Sequence, residues 1–428
     1  MTEAIDKRYL ENGIPVLMEP LPHLHSASLG VWVNTGTRDE HPDEHGVSHF
    51  LEHTFFKGST TRDAMQIARE MDAMGGEMNA FTSREQTAFY VKVLSDRLHE
   101  ATDLLCDILT RPAFEADALD KERKVVLEEI RMVEDDPEEW VHDLHSAQVW
   151  GEHSPLGRTI LGTEDSVSRL DAAALRAYVA RRYRPDRMVV TAAGGMDPDA
   201  LFAQLSATIG QLPAATTPDD AAEPVPGFGG AHPQLHFREL EQVHLCIGAR
   251  GLPVDHTDRF GMYVLSDLLG GGSSSRLFQE IREQRGLAYS VYCGLSSYRD
   301  TGEFTLYAAT GKDSADKVAE LMCAEIERIC ATPATAEEMD RIKGHIKGQI
   351  VLGMESTYSR MSRMAQDQIY WGAPQPIKTV LAGIDAVDPA QVLRLARRAF
   401  DPAWRSATVL GALDTLPKAL STHAPVPR

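Results

Sequence analysis

The stretch that decides the reading is His49-Phe50-Leu51-Glu52-His53-Thr54-Phe55-Phe56-Lys57-Gly58. On a helix His49 and His53 are i and i+4, so their imidazoles lie one above the other and address one ion from the same side. Glu52 sits beside both. Being adjacent to His53 in sequence, it is poorly placed as a third ligand and well placed as a general base acting on a metal-bound water. In order the string is H-x-x-E-H, the inverted form of the zinc-binding H-E-x-x-H. Such a string also arises by chance in a chain with 16 histidines and 63 acidic residues. The reading therefore turns on a third ligand arriving from elsewhere, because a catalytic zinc takes three protein ligands and leaves a fourth position to water. The helical segment 116–133 carries Glu122 and Glu129, two turns apart and so on one face. On their own these two carboxylates read equally as a solvated helix surface.

Length and composition bound the rest. At 428 residues the chain is too long for one ordinary core and implies two or more domains. Its 43% hydrophobic and 25% charged residues place it with ordinary globular proteins. No run approaches the roughly 18 consecutive apolar residues of a membrane span. The first eight residues contain acids and lead into no apolar stretch, so they read as neither a secretory signal nor a basic transit peptide. The expected address is the cytoplasm. Cys106, Cys246, Cys293, Cys323 and Cys330 are odd in number and include no C-x-x-C pair, which argues against a thiolate zinc site and a disulfide framework. A net charge of −20 argues against nucleic acid as a partner, since phosphate contacts need clustered Lys and Arg.

Outward from the motif, 16–19 and 27–34 read as strands, and the motif helix is expected to begin between Asp43 and Val47, with Asp43 a candidate cap, and to stop at Gly58. A second helix follows, capped by Thr60 or Thr61 and ended by Gly75-Gly76. Its apolar stripe is core. His23, His25, His41 and His45 fall in loops. Residues 87–94 form a strand, and 96–109, 116–133, 138–150 and 172–182 form helices before a returning strand at 188–194. Residues 213–233, rich in Pro, Ala, Gly, Thr and Asp without period, are the linker. Beyond it a similar order recurs, with Met339-Asp340-Arg341-Ile342 and Gln349 in line with Leu119-Asp120-Lys121-Glu122 and Glu129. The second copy thus has Ile342 and Gln349 where the first has carboxylates, and no histidine around 262–269. The domains are a metal-bearing half over 1–212, the linker, and a degenerate half over 234–428. Gly270-Gly271-Gly272 lacks the Lys-Ser/Thr of a phosphate loop and reads as a flexible loop.

Together these motifs resemble the pitrilysin family of zinc metallopeptidases, which includes the mitochondrial processing peptidase and bacterial relatives. Gly75–Ser83, His153-Ser154-Pro155-Leu156-Gly157-Arg158, Ser275-Arg276-Leu277-Phe278 and Arg282–Tyr289 fall in the family's order. The resemblance implies Glu129 as the third zinc ligand and Glu122 as an acid behind it. The element order reads as an α+β fold with two copies of a mostly antiparallel sheet covered on one side by helices, and the resemblance implies that these two sheet-plus-helix halves face each other like a clam shell. It also implies one zinc per chain, Glu52 as base, and Arg282 and Tyr289 as donors to the carbonyl under attack. Asn79-Ala80-Phe81-Thr82 would receive an extended peptide as an added strand. Chains of this kind commonly pair, so a homodimer is expected, or a heterodimer with a related chain. Two alternatives remain: a non-catalytic subunit of such a pair, and a lyase of the S-ribosylhomocysteine type, whose chains share H-x-x-E-H but are much shorter.

Overall fold

The computed structural model describes residues 4–215 and 232–421. Of the linker assigned to 213–233, residues 216–231 lie outside the described residues. The described residues gather into two compact units, drawn from 1–131, 158–224 and 352–376 and from 132–157, 225–351 and 377–428. A cut at the linker separates the two sequence copies, whereas each compact unit takes in one segment from the other side of it.

In the first unit β1 (Asp6–Tyr9), β2 (Pro15–Pro20), β3 (Ser26–Val33), β4 (Glu77–Thr82), β5 (Thr87–Leu94) and β6 (Met188–Gly194) form one sheet in the order β1-β2-β6-β3-β5-β4. Every neighbouring pair is antiparallel except β2 with β6. The second unit repeats this plan with β7 (Gln234–Phe237), β8 (Gln242–Arg250), β9 (Ala288–Ser297), β10 (Gly302–Gly311) and β11 (Ser406–Gly411), in the order β7-β11-β8-β10-β9. Its one parallel pair, β7 with β11, falls in the same place. The internal repeat is therefore one of topology, and β9 is the counterpart of the edge strand β4.

The first sheet is covered on both faces, which corrects the expectation of helices on one side only. Ala27, Leu29, Val31 and Val33 of β3 enter the main core with Val47, Phe50, Leu51 and Phe55, while Trp32 turns to the opposite face. There the helix Thr357–Trp371 lays Met361, Met364 and Ala365 against Leu17, Trp32, Ala88, Val189 and Ala193. A strand buried on both sides reads as an almost unbroken apolar run rather than an alternation, as β3 does. In the second unit the helix Pro137–Trp150 performs the same service for the other sheet, with Val141 among Cys246, Tyr307 and Leu410. That contact is more polar: His145 Nδ1 meets Thr408 Oγ1 at 2.8 Å, and Trp150 Nε1 donates to Glu303 Oε2 at 2.8 Å. All five cysteines are free, with Cys106, Cys246 and Cys323 buried.

Candidate metal centre

The motif helix spans Val47–Phe55. Val47, Phe50, Leu51 and Phe55 are fully buried, at the i, i+3, i+4, i+8 spacing of one helical face. That burial turns His49, Glu52 and His53 to the other side. The helix starts after Gly46, whose φ of 90° suits glycine and whose missing Cβ leaves room for the Leu161 carbonyl. Asp43, the cap expected from sequence, lies instead in a short 3-10 turn. The following helix, Ala64–Met74, is capped by Asp63 rather than Thr60 or Thr61, its carboxylate accepting from the Gln66 amide at 2.7 Å.

Glu129 arrives on the helix Ala116–Asp135, which buries Leu119, Glu122, Val126 and Ile130. A single oxygen, Glu129 Oε2, lies 3.6 Å from His49 Nε2 and 3.3 Å from His53 Nε2. Ligands about 2.0–2.1 Å from a tetrahedral zinc stand roughly 3.4 Å apart, so these separations fit the edges of such a tetrahedron. Two imidazoles and one carboxylate are also the donor set of a catalytic site with an open fourth position. Among the described residues, this is the one group of three such donors close enough together to hold an ion.

The neighbours of the three are specific. His53 Nδ1 stands 3.3 Å from Glu122 Oε2, and the other Glu122 oxygen accepts from Lys57 Nζ at 2.9 Å. Burial, and then the nearby His53, push His49 down to about 3, which keeps its imidazole neutral and its lone pair free. Burial raises the Glu52 carboxyl above its ordinary range and Glu129 adds to that rise, while hydrogen bonds from Thr82 and the charge of His53 oppose it. Thr82 closes β4, which pairs only with β5 and so presents its other edge unpaired among the described strands. Asn79, Ala80, Phe81 and Thr82 all lie on this edge strand.

Arg282 and Tyr289 meet in the second unit. The Arg282 guanidinium lies over the rings of Phe278 and Tyr289, 4.7 and 4.4 Å from their centroids, and donates to the Tyr289 carbonyl at 2.8 Å. Tyr289 is 78% exposed, near the start of β9, so it is no core residue. Lys57, eight residues after His49, and Glu40, nine residues before it, stand at no spacing that marks them in the sequence. The sequence pattern also leaves Arg158 without a role.

Residues 15–164 match the model described as insulinase, peptidase family M16, and residues 169–345 match that described as peptidase M16 inactive domain. The chain is similar to a Bacillus subtilis protein named uncharacterized zinc protease YmxG, with 38% identity over 410 residues, 94% of this chain and 98% of the relative. It is also similar to a Streptomyces coelicolor protein named as an uncharacterized zinc protease, with 39% identity over 401 residues, 92% and 87% of the two chains. The fold is shared with a crystal structure described as a protease from Helicobacter pylori, at a TM-score of 0.88 and 22% identity over 96% of this chain and 100% of that one. With near-full-length relatives at this identity, and family models over both sequence copies, the chain belongs to peptidase family M16.

Proposed function

We propose that the chain is a zinc-dependent endopeptidase that cuts extended peptides, with His49, His53 and Glu129 as the metal ligands. The observation that carries this reading is the convergence of that trio with a half-buried Glu52 on the same helix, beside an open edge strand whose Thr82 hydroxyl donates to the Ser48 carbonyl of that helix. Zinc held there would supply positive charge that eases deprotonation of water and polarises a peptide carbonyl. Glu52 takes the proton and passes it to the leaving amine; its raised pKa suits both tasks. Glu122 accepts from His53 Nδ1–H, which fixes the tautomer that leaves Nε2 free. The free edge of β4, from Asn79 to Thr82, offers main-chain groups to an extended peptide and so selects for an unfolded backbone rather than particular side chains. The Tyr289 hydroxyl and the Arg282 guanidinium are donors suited to an oxygen gaining charge. Closure of the degenerate half over the peptide belongs to the same proposal, as do the linker at 213–233 and assembly as a homodimer. No described helix is long and apolar enough to cross a membrane.

A quenched fluorogenic peptide tests the activity. Cleavage should be abolished by a chelator and restored by zinc, and a denatured protein should be cut where its compact form is not. Chelator-resistant cleavage, or equal cutting of both forms, would overturn the reading. Light scattering tests the dimer, and a strict monomer removes it.

A further inference from the structure

The motif helix begins at a residue that cannot cap it. Gly46 has no side chain, and no neighbour in sequence supplies one. Two amides at the helix start are met instead by Glu40, six residues upstream of Gly46: Oε2 accepts from the Gly46 N–H at 2.9 Å and Oε1 from the Ser48 N–H at 2.8 Å. Glu40 is 3% exposed. Burial pushes its carboxyl up to about 7, and the two amides and the charge of Arg158 hold it back. Arg158 is itself buried and donates from one Nη to the Glu40 carbonyl at 3.1 Å, leaving Nε and the other Nη without a hydrogen-bond partner. Around this pair the segment before the helix is held on all sides. Arg182 donates to the Asp39 carbonyl at 3.0 Å, Arg38 pairs with Glu85 at 2.6 Å, and Tyr178 OH lies 2.9 Å from Ser48 Oγ.

We infer that Glu40 is a positioning residue for the metal helix, and that its carboxylate, clamped on the amides of Gly46 and Ser48, sets the rotation of that helix and with it the aim of His49 and Glu52. The physical grounds are that a buried polar group is costly unless it is satisfied, and that both oxygens here are satisfied by the same helix terminus. An anion at a helix N-terminus is also stabilised by the helix dipole. Ser48 is bonded to His49, so a shift of the first turn moves the imidazole directly. The motif segment His153–Arg158 acquires a role as well, since its last residue holds the Glu40 carbonyl and its charge favours the Glu40 carboxylate.

The inference rests on the zinc reading above, and its test is chosen so that the two fail separately. Glu40→Gln keeps the shape, removes the charge and leaves one amide without its acceptor. In the purified full chain, zinc affinity by competition with a chelating dye should weaken about 10-fold. With zinc saturating, kcat should fall about 10-fold while KM stays within two-fold. Glu40→Asp, one methylene shorter, should show a smaller loss in the same direction and carries the test if the Gln variant does not fold. Unchanged zinc affinity and unchanged kcat in the folded variants, with only the metal-free melting temperature lowered, would reduce Glu40 to a stabilising cap and overturn the inference. Wild-type protein that binds zinc but cuts no peptide would sink the peptidase reading and leave the affinity comparison standing.

Discussion

The two sequence copies each set a pair of helices side by side, and the pairs differ in what lies between them. In the first unit the motif helix and the Ala116–Asp135 helix bring together two histidines and two glutamates. In the second, Arg259–Gly270 and Ala336–Gly353 meet through Asp267 and His345 at 2.9 Å, with the Gln349 amide 3.0 Å from the other imidazole nitrogen. Where the first copy buries Glu122, the second buries Ile342 in its apolar core. The same helical arrangement thus packs without either carboxylate. Burying an acid costs free energy unless it is paired, and the first unit meets that cost at Glu122 with Lys57 and His53, partners that the second unit does not need at Ile342.

The sharpest way to break the comparison is Glu52→Gln. It removes the base and spares every ligand, so kcat should fall by about 10²–10⁴-fold with zinc content unchanged, measured by peptide cleavage and metal analysis. Near wild-type cleavage would return Glu52 to the helix surface. Glu129→Gln, which makes the first pair resemble the second at one position, should weaken zinc binding by more than the roughly 10–100-fold expected for an outer partner such as Glu122. A dye-competition value equal to wild type would point to another ligand. Tyr289→Phe should lower kcat on the order of 10²-fold with metal content intact. If turnover does not change, the exposed phenol has no part in the chemistry. The smallest effect is expected from Gln349→Glu, the reverse exchange in the second unit. No histidine faces it from Arg259–Gly270, so the chain should still bind one zinc, and a second equivalent would show that the degenerate copy is one carboxylate from a site.

Much of the candidate site was legible because it is local. The spacing of His49, Glu52 and His53 needs only helical geometry, and the strands 87–94 and 188–194 fall where their composition put them. The choice of Glu129 was not local and came from the family resemblance. Glu40 was illegible because capping rules look one to three residues from a helix start, and this cap reaches across a loop. The second cover of each sheet was hidden for a similar reason. The helix Thr357–Trp371 carries its own amphipathic stripe, but nothing in that stripe names Trp32 as its partner more than 300 residues away.

That distance has a consequence for how the protein is made. A chain emerging from the ribosome at about 5–20 residues per second completes its first sheet by residue 194. The helix that covers the far face of that sheet is synthesised only after a further delay of roughly 10–30 s. During that interval Leu17, Trp32, Ala88, Val189 and Ala193 lack the helix that covers them in the finished fold. A chain truncated before residue 357 should therefore leave that apolar face uncovered and be recovered as aggregate, which a solubility assay of the truncated chain checks.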